Sequence, residues 1–139
     1  MKDFKGNDIK LSDFKNESNV LIVLNRGFVW PYCQKHMMQL HQDKEKLEQK
    51  DTKILVVGPE KAQKFEAYWK EHNLEFTGIS DEKKQVLGLF GQKVNLFKLG
   101  RMPAQILVDK EGTVRYVHYG HSMKDIPETD EVLELIDKL

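Results

Sequence analysis

The segment Asn19 to Asn25, NVLIVLN, is an unbroken apolar run bounded by polar turn formers. A strand with one face in water alternates polar and apolar residues, so a run without alternation predicts a strand covered on both faces, at the centre of a sheet. The next residues narrow the choice further. Gly27 loosens the backbone, and Pro31, which has no N–H to leave unpaired, suits the first turn of a helix. From Tyr32 to about Lys50, Met37, Leu40, Lys44 and Leu47 recur at spacings of three and four. That period predicts an amphipathic helix whose apolar stripe lies on the sheet.

The remaining elements follow from the same periodicities. Lys5-Gly6-Asn7-Asp8 reads as a turn and Ile9-Lys10-Leu11 as a short alternating stretch, together a hairpin or edge element. Thr52 to Val57 is a second apolar strand ended by Gly58-Pro59, and Glu60 to His72 carries Ala62, Phe65, Tyr68 and Trp69 at helical spacing. Parallel pairing through a right-handed crossover is the default for such an order. Phe76 to Ile79 reads as a short strand, and Ser80 or Asp81 as the N-cap of a helix from Glu82 to Phe90. The stretch Gly91 to Gly100 has no assignable period. Gln105 to Val108 and Thr113 to Tyr119 flank Asp109-Lys110-Glu111-Gly112, an antiparallel hairpin in which Glu111-Gly112 supplies the positive φ. Glu128 to Leu139 closes the chain as a helix, with Thr129 or Asp130 as its cap. This order resembles that of the thioredoxin fold, an α/β architecture with a central mixed sheet flanked by helices, here with an extra helix and an insertion between its halves.

Length and charge exclude several classes of function. A chain of 139 residues without internal repeats or linkers is one domain, residues 1–139, and its 40% hydrophobic content supplies a core. Twenty-two Lys and Arg residues balance 22 Asp and Glu residues, so the basic footprint that nucleic acid or an anionic membrane selects is missing. The longest apolar run, Val20 to Leu24, is far shorter than the roughly 20 residues of a membrane span. No apolar signal core opens the chain, so a soluble, cytoplasmic protein is expected. Neither a phosphate-binding glycine loop nor a Gly-x-Ser-x-Gly nucleophile elbow occurs, and no cofactor or metal is implied.

The chemistry converges on Cys33, the single cysteine. It has no internal disulfide partner and no companion for a multi-cysteine zinc site. With Pro31 as the first helical residue, Trp30 becomes the N-cap and Cys33 lies in the first turn. There the unpaired N–H groups and the positive end of the helix dipole favour a thiolate. The bland alternative is an inert, small core residue. His36, one turn further on, reads as a surface residue of the helix, with a catalytic base as the alternative. His118 and His121, on either side of Tyr119-Gly120, read as structural residues.

The string RGFVWPYCQKHMMQL resembles the Arg-Gly-Phe-x-Cys-Pro-[Phe/Tyr]-Cys segment of peroxiredoxin-like redoxins of the alkyl hydroperoxide reductase and thiol-specific antioxidant superfamily. The likeness continues through ILVVGPEKAQKFEAYW, GLFGQKVNLFKLGRMPAQILVDKEGTVRYVHYGHSMKDIP and the final helix. It implies a thioredoxin fold and thiol redox chemistry, an antioxidant oxidoreductase that reduces peroxides or protein disulfides. Trp30 stands where the two-cysteine members have their first cysteine, and Cys33 takes the place of the second, the resolver. A Cys-x-x-Cys cycle is therefore impossible, and turnover runs through a Cys33 sulfenic acid resolved by an external thiol or thioredoxin-type reductant. The Pro-x-x-x-[Thr/Ser]-x-x-Cys signature of typical peroxiredoxins is absent: Trp30 and Arg26 hold its Thr and Pro positions.

Several neighbours are candidates to support Cys33. Met102-Pro103 resembles the cis-proline element that faces the thiol, an X-Pro bond being the usual place for a cis peptide. Arg101 beside it reads as a solvated loop arginine, with stabilising a thiolate or binding peroxide oxygens as the alternative. Trp30 and Phe28 would form an apolar rim around the site at Pro31, Tyr32 and Cys33, or else simply plug it. A homodimer is a candidate assembly. The rival reading is a non-catalytic thioredoxin-fold module, a binding or regulatory domain that has lost the attacking cysteine.

Overall fold

The computed structural model describes residues 2–25, 31–81, 94–95, 100–101, 104–119, 126 and 129–139, with 31–33, 94–95 and 100–101 placed at the level of the backbone. The strands are β1 (Asn19–Leu24), β2 (Thr52–Gly58), β3 (Thr77–Ser80), β4 (Val94–Asn95), β5 (Gly100–Arg101), β6 (Ala104–Val108) and β7 (Val114–Tyr119). The helices are α1 (Pro31–Glu48), α2 (Ala62–His72) and α3 (Thr129–Asp137).

Five strands form one mixed sheet in the order β3-β2-β1-β6-β7. β1 pairs parallel with β2, and β2 with β3, while β1 and β6, and β6 and β7, pair antiparallel. As the apolar run predicts, β1 is central and all six of its residues are buried. Alternation divides the core in two. Leu21, Val23, Ile54, Val56 and Leu107 pack with Met37, Leu40 and Leu47 of α1, Phe65 and Trp69 of α2, and Val132 and Ile136 of α3. The residues between them, Val20, Ile22, Leu24, Leu55, Val57, Ile106 and Val108, form the second cluster, against which Ile9, Leu11, Phe14 and Tyr119 pack. This is the single-domain, thioredoxin-like α/β architecture that the element order implies.

The differences from the sequence expectations are local. The N-terminal segment is an edge element in part. Asp3 Oδ1 accepts from the Lys5 and Asn7 amides at 2.9 and 2.8 Å, tightening the turn, and the Phe4 amide donates to the Gly78 carbonyl of β3 at 3.0 Å. The expected strand at Ile9 to Leu11 is not formed. Leu11–Phe14 is a 3-10 turn instead, with the Lys10 amide donating to Asp13 Oδ2 at 3.2 Å. That turn brings Leu11 and Phe14 together against the second cluster, which three residues of extended chain would not do. α1 ends at Glu48 rather than Lys50, and the chain turns into β2 through Asp51 at φ 53°.

Gly112 takes the positive φ of the β6–β7 turn, 84°. Asp109 organises that turn by accepting from the Glu111 and Thr113 amides at 3.0 and 2.9 Å. The unassigned stretch holds β4, which pairs antiparallel with β5. The expected helix from Glu82 to Phe90 lies outside the described residues.

Candidate active site

The carboxyl end of β1 positions the site. The ladder to β2 continues one residue past the strand, where the Asn25 amide donates to the Val57 carbonyl at 2.8 Å, and Asn25 is buried. Six residues later the chain enters α1 at Pro31, where the proline and the apolar period place the helix start. Tyr32 and Cys33 are its second and third residues. Cys33 therefore stands in the first turn, among backbone N–H groups that lack intrahelical acceptors.

β6 runs antiparallel to β1, so its amino end reaches the same edge of the sheet. Ala104, which follows Pro103 in the chain, pairs with Leu24, and Gln105 pairs with Val23 on one side and His118 on the other. Gln105 is buried at 2% exposure. Its Nε2 lies 2.7 Å from Nε2 of His36, one turn along α1 from Cys33. The start of β6 is thereby held against the start of α1. Gln105 Oε1 is buried without a hydrogen-bond partner.

His36 corrects the sequence reading. It is not on the surface: only 9% of it is exposed, and burial pushes its imidazole down from 6.5 to about 4. A ring held neutral this strongly is also a poor general base at neutral pH. The sequence signal was its spacing, four residues before Leu40 and next to Met37, which puts it on the sheet side of the helix. Gln105 was missed altogether. Its signal is a lone polar residue inside the buried run AQILV, which needs a buried partner.

The other predicted residues divide by position. Arg101 is the second residue of β5, opposite Val94. His118 is half-buried in β7. Trp30, Phe28, Met102, His121 and Pro103, with its expected cis bond, lie outside the described residues. Among the described residues no three His, Cys, Asp or Glu side chains gather as a metal site, and no helix is long and apolar enough to cross a membrane.

The model of the AhpC/TSA family matches residues 1–117. The chain belongs to this family. Among curated AhpC/TSA relatives, the chloroplastic peroxiredoxin Q of Sedum lineare is 27% identical over 141 residues, covering 100% of this chain and 74% of that protein. The chloroplastic peroxiredoxin Q of Triticum aestivum is 28% identical over all of this chain and 63% of its own length. Peroxiredoxin Bcp of Escherichia coli (strain K12) is 25% identical over 84% of this chain and 78% of that protein. The chain thus spans about two-thirds to three-quarters of these relatives. Among solved structures, peroxidoxin BcpB from Mycobacterium tuberculosis superposes with a TM-score of 0.85 at 16% identity, over 100% of this chain and 91% of that one. Xanthomonas campestris peroxiredoxin Q gives 0.84 at 16% identity, over 99% and 88%. At these identities the structures speak for the fold.

Proposed function

We propose that this AhpC/TSA member is a thiol-dependent peroxidase whose nucleophile is Cys33. The observation that carries the reading is the place of that residue: third in α1, just past the carboxyl end of the central strand. The relatives named peroxiredoxin supply the class of reaction.

The chemistry balances with one cysteine. The Cys33 thiolate attacks one peroxide oxygen, an S–O bond forms as the O–O bond breaks, and the departing alkoxide or hydroxide takes a proton. Sulfur is oxidised to the sulfenic acid and the peroxide is reduced to alcohol or water. One external thiol then displaces water to give a mixed disulfide, and a second releases Cys33 as the thiol. Helix-start N–H groups favour the thiolate in the first step. Because Trp30 supplies no second thiol, the cycle needs a reducing compartment, of which the cytoplasm is one.

The test is hydrogen peroxide consumption in excess dithiothreitol, compared between the wild type and Cys33→Ser. Turnover in the wild type that is lost in Cys33→Ser is expected. If the folded wild type consumes no peroxide, and a sulfenic-acid trap leaves Cys33 unmodified, the protein is a non-catalytic module of this fold.

A further inference from the structure

We propose that His36 is a positioning residue for Cys33: Gln105, reaching across from β6, fixes the His36 ring beneath the start of α1 with its proton on Nδ1, so that Nδ1–H is the donor presented to the preceding turn. The inference deepens the peroxidase reading and rests on it for its purpose, though its geometry stands apart.

The tautomer follows from donor and acceptor chemistry. The amide Nε2 of Gln105 has hydrogens to give and no lone pair to offer, so the ring nitrogen 2.7 Å away is the acceptor. A neutral imidazole whose Nε2 accepts carries its hydrogen on Nδ1. Burial keeps the ring neutral, with its pKa at about 4. The other titratable group in the row is His118, the register partner of Gln105 on β7; Gln34 and Lys35, beside His36 on α1, are on the exposed side.

The direction of that Nδ1–H comes from the helix. Side chains on a helix lean toward its amino terminus, and the neighbours of a residue on its own face are those three and four positions away. For His36 the preceding neighbours are Cys33 and Tyr32, in the first turn. Met37 and Leu40, beside and one turn past His36, are fully buried, so the face of α1 that carries His36 is the one packed on the sheet, and helical spacing puts positions 32 and 33 one turn before it. A neutral donor there favours the thiolate over the thiol without placing a charge in the core.

The pair is also costly to fold. Gln105 Oε1 is left without a donor, which two apolar side chains would avoid.

The experiment uses the full chain and two readouts besides turnover. The ring ¹⁵N shifts of His36 in the folded wild type give the tautomer directly: protonated Nδ1 is expected, and protonated Nε2 overturns the proposal. Iodoacetamide alkylation of Cys33 is then followed against pH in His36→Leu, Gln105→Leu and His36→Asn. The two leucine variants are expected to raise the alkylation midpoint and slow the reaction at neutral pH by about tenfold, the factor that one pH unit carries. His36→Asn, which keeps an amide N–H close to the place of Nδ1, is expected to restore most of the rate. Folded leucine variants with unchanged midpoints overturn the proposal, since a merely structural pair would alter stability alone. If the midpoints move while the wild type consumes no peroxide, the positioning stands and the peroxidase reading fails.

Discussion

Gly78 of β3 lies directly beneath Phe65 of α2: a methyl group added at Gly78 would sit 2.8 Å from the ring carbon Cδ1 of Phe65, and 2.9 Å from Cζ2 of Trp69. These rings have nowhere to retreat. Phe65 is fully buried and packs on Trp69 at 5.2 Å between centroids, Phe4 closes over both, and Trp69 Nε1 donates to the Phe76 carbonyl at 2.6 Å.

Gly78→Ala is therefore expected to destabilise the fold. Overpacking costs about 1–3 kcal/mol, and the loss of glycine's freedom in the unfolded chain returns about 0.4–1 kcal/mol. Gly58→Ala meets only the tip of the Phe65 ring, at 3.1 Å, and is expected to cost less. Urea midpoints of the two variants check the order. Equal midpoints would mean that α2 shifts freely on the sheet.

What the sequence made legible follows from the range of the interactions involved. β1, β2, α1 and the β6–β7 hairpin announce themselves through unbroken runs, helical spacing and a Gly112 turn, all readable within a dozen residues. The 3-10 turn at Leu11–Phe14 was not legible, because a three-residue alternation fits a turn as well as a strand. The His36–Gln105 pair spans 69 positions. It exists only because β6 inserts beside β1 with Gln105 level with Val23, and no local period encodes that register. The place of Cys33 in the first turn of α1 was legible because it depends on one neighbour, Pro31, to start the helix. Trp30 and Met102-Pro103 entered by resemblance, which carries no geometry.

Acid should unfold the protein in a window set by His36. Its pKa in the fold, about 4, lies below the ordinary 6.5, so between these values the unfolded chain binds a proton that the folded chain refuses. Stability is complete above about 6.5 and falls as pH drops toward 4, by about 3 kcal/mol in all. Urea unfolding at pH 7, 5.5 and 4.5 is expected to show this slope in the wild type and to lose it in His36→Leu. A slope unchanged in the variant would assign the acid sensitivity to other groups.

Asp43 ties α1 to α3. Burial pushes its carboxyl up, but hydrogen bonds from Gln39 and Thr129 and the Lys46 ammonium outweigh this and hold it below the usual carboxylate range. Thr129 is the first residue of α3, so the carboxylate also faces the positive end of that helix. Asp43→Ala is expected to cost about 1–2 kcal/mol by leaving the Thr129 hydroxyl and the Gln39 amide short of an acceptor. Because this pKa is depressed, the contribution persists at neutral pH and fades only as pH falls below the carboxylate range. Denaturant titrations at pH 7 and at successively lower pH should show a difference from the wild type that is large at pH 7 and shrinks as acid protonates the Asp43 carboxylate.

Trp30→Cys should convert a cycle that depends on external thiols into an internal one. Pro31 opens α1, position 33 lies in its first turn, and position 30 is the residue that precedes the helix in the chain. Residues three apart at a helix start bring their Cα atoms within the range of about 4.4–6.8 Å that a disulfide spans. The new thiol at position 30 would attack a Cys33 sulfenic acid and release water, or form the disulfide directly with a disulfide substrate. The oxidised variant is expected to weigh two hydrogens less than the reduced one, to give a peptide map linking 30 to 33, and to reduce protein disulfides at the expense of a dithiol. If peroxide oxidises the variant without forming that link, the first turn of α1 does not hold the two positions in redoxin geometry, and the likeness of RGFVWPYC to the two-cysteine segment stops at sequence.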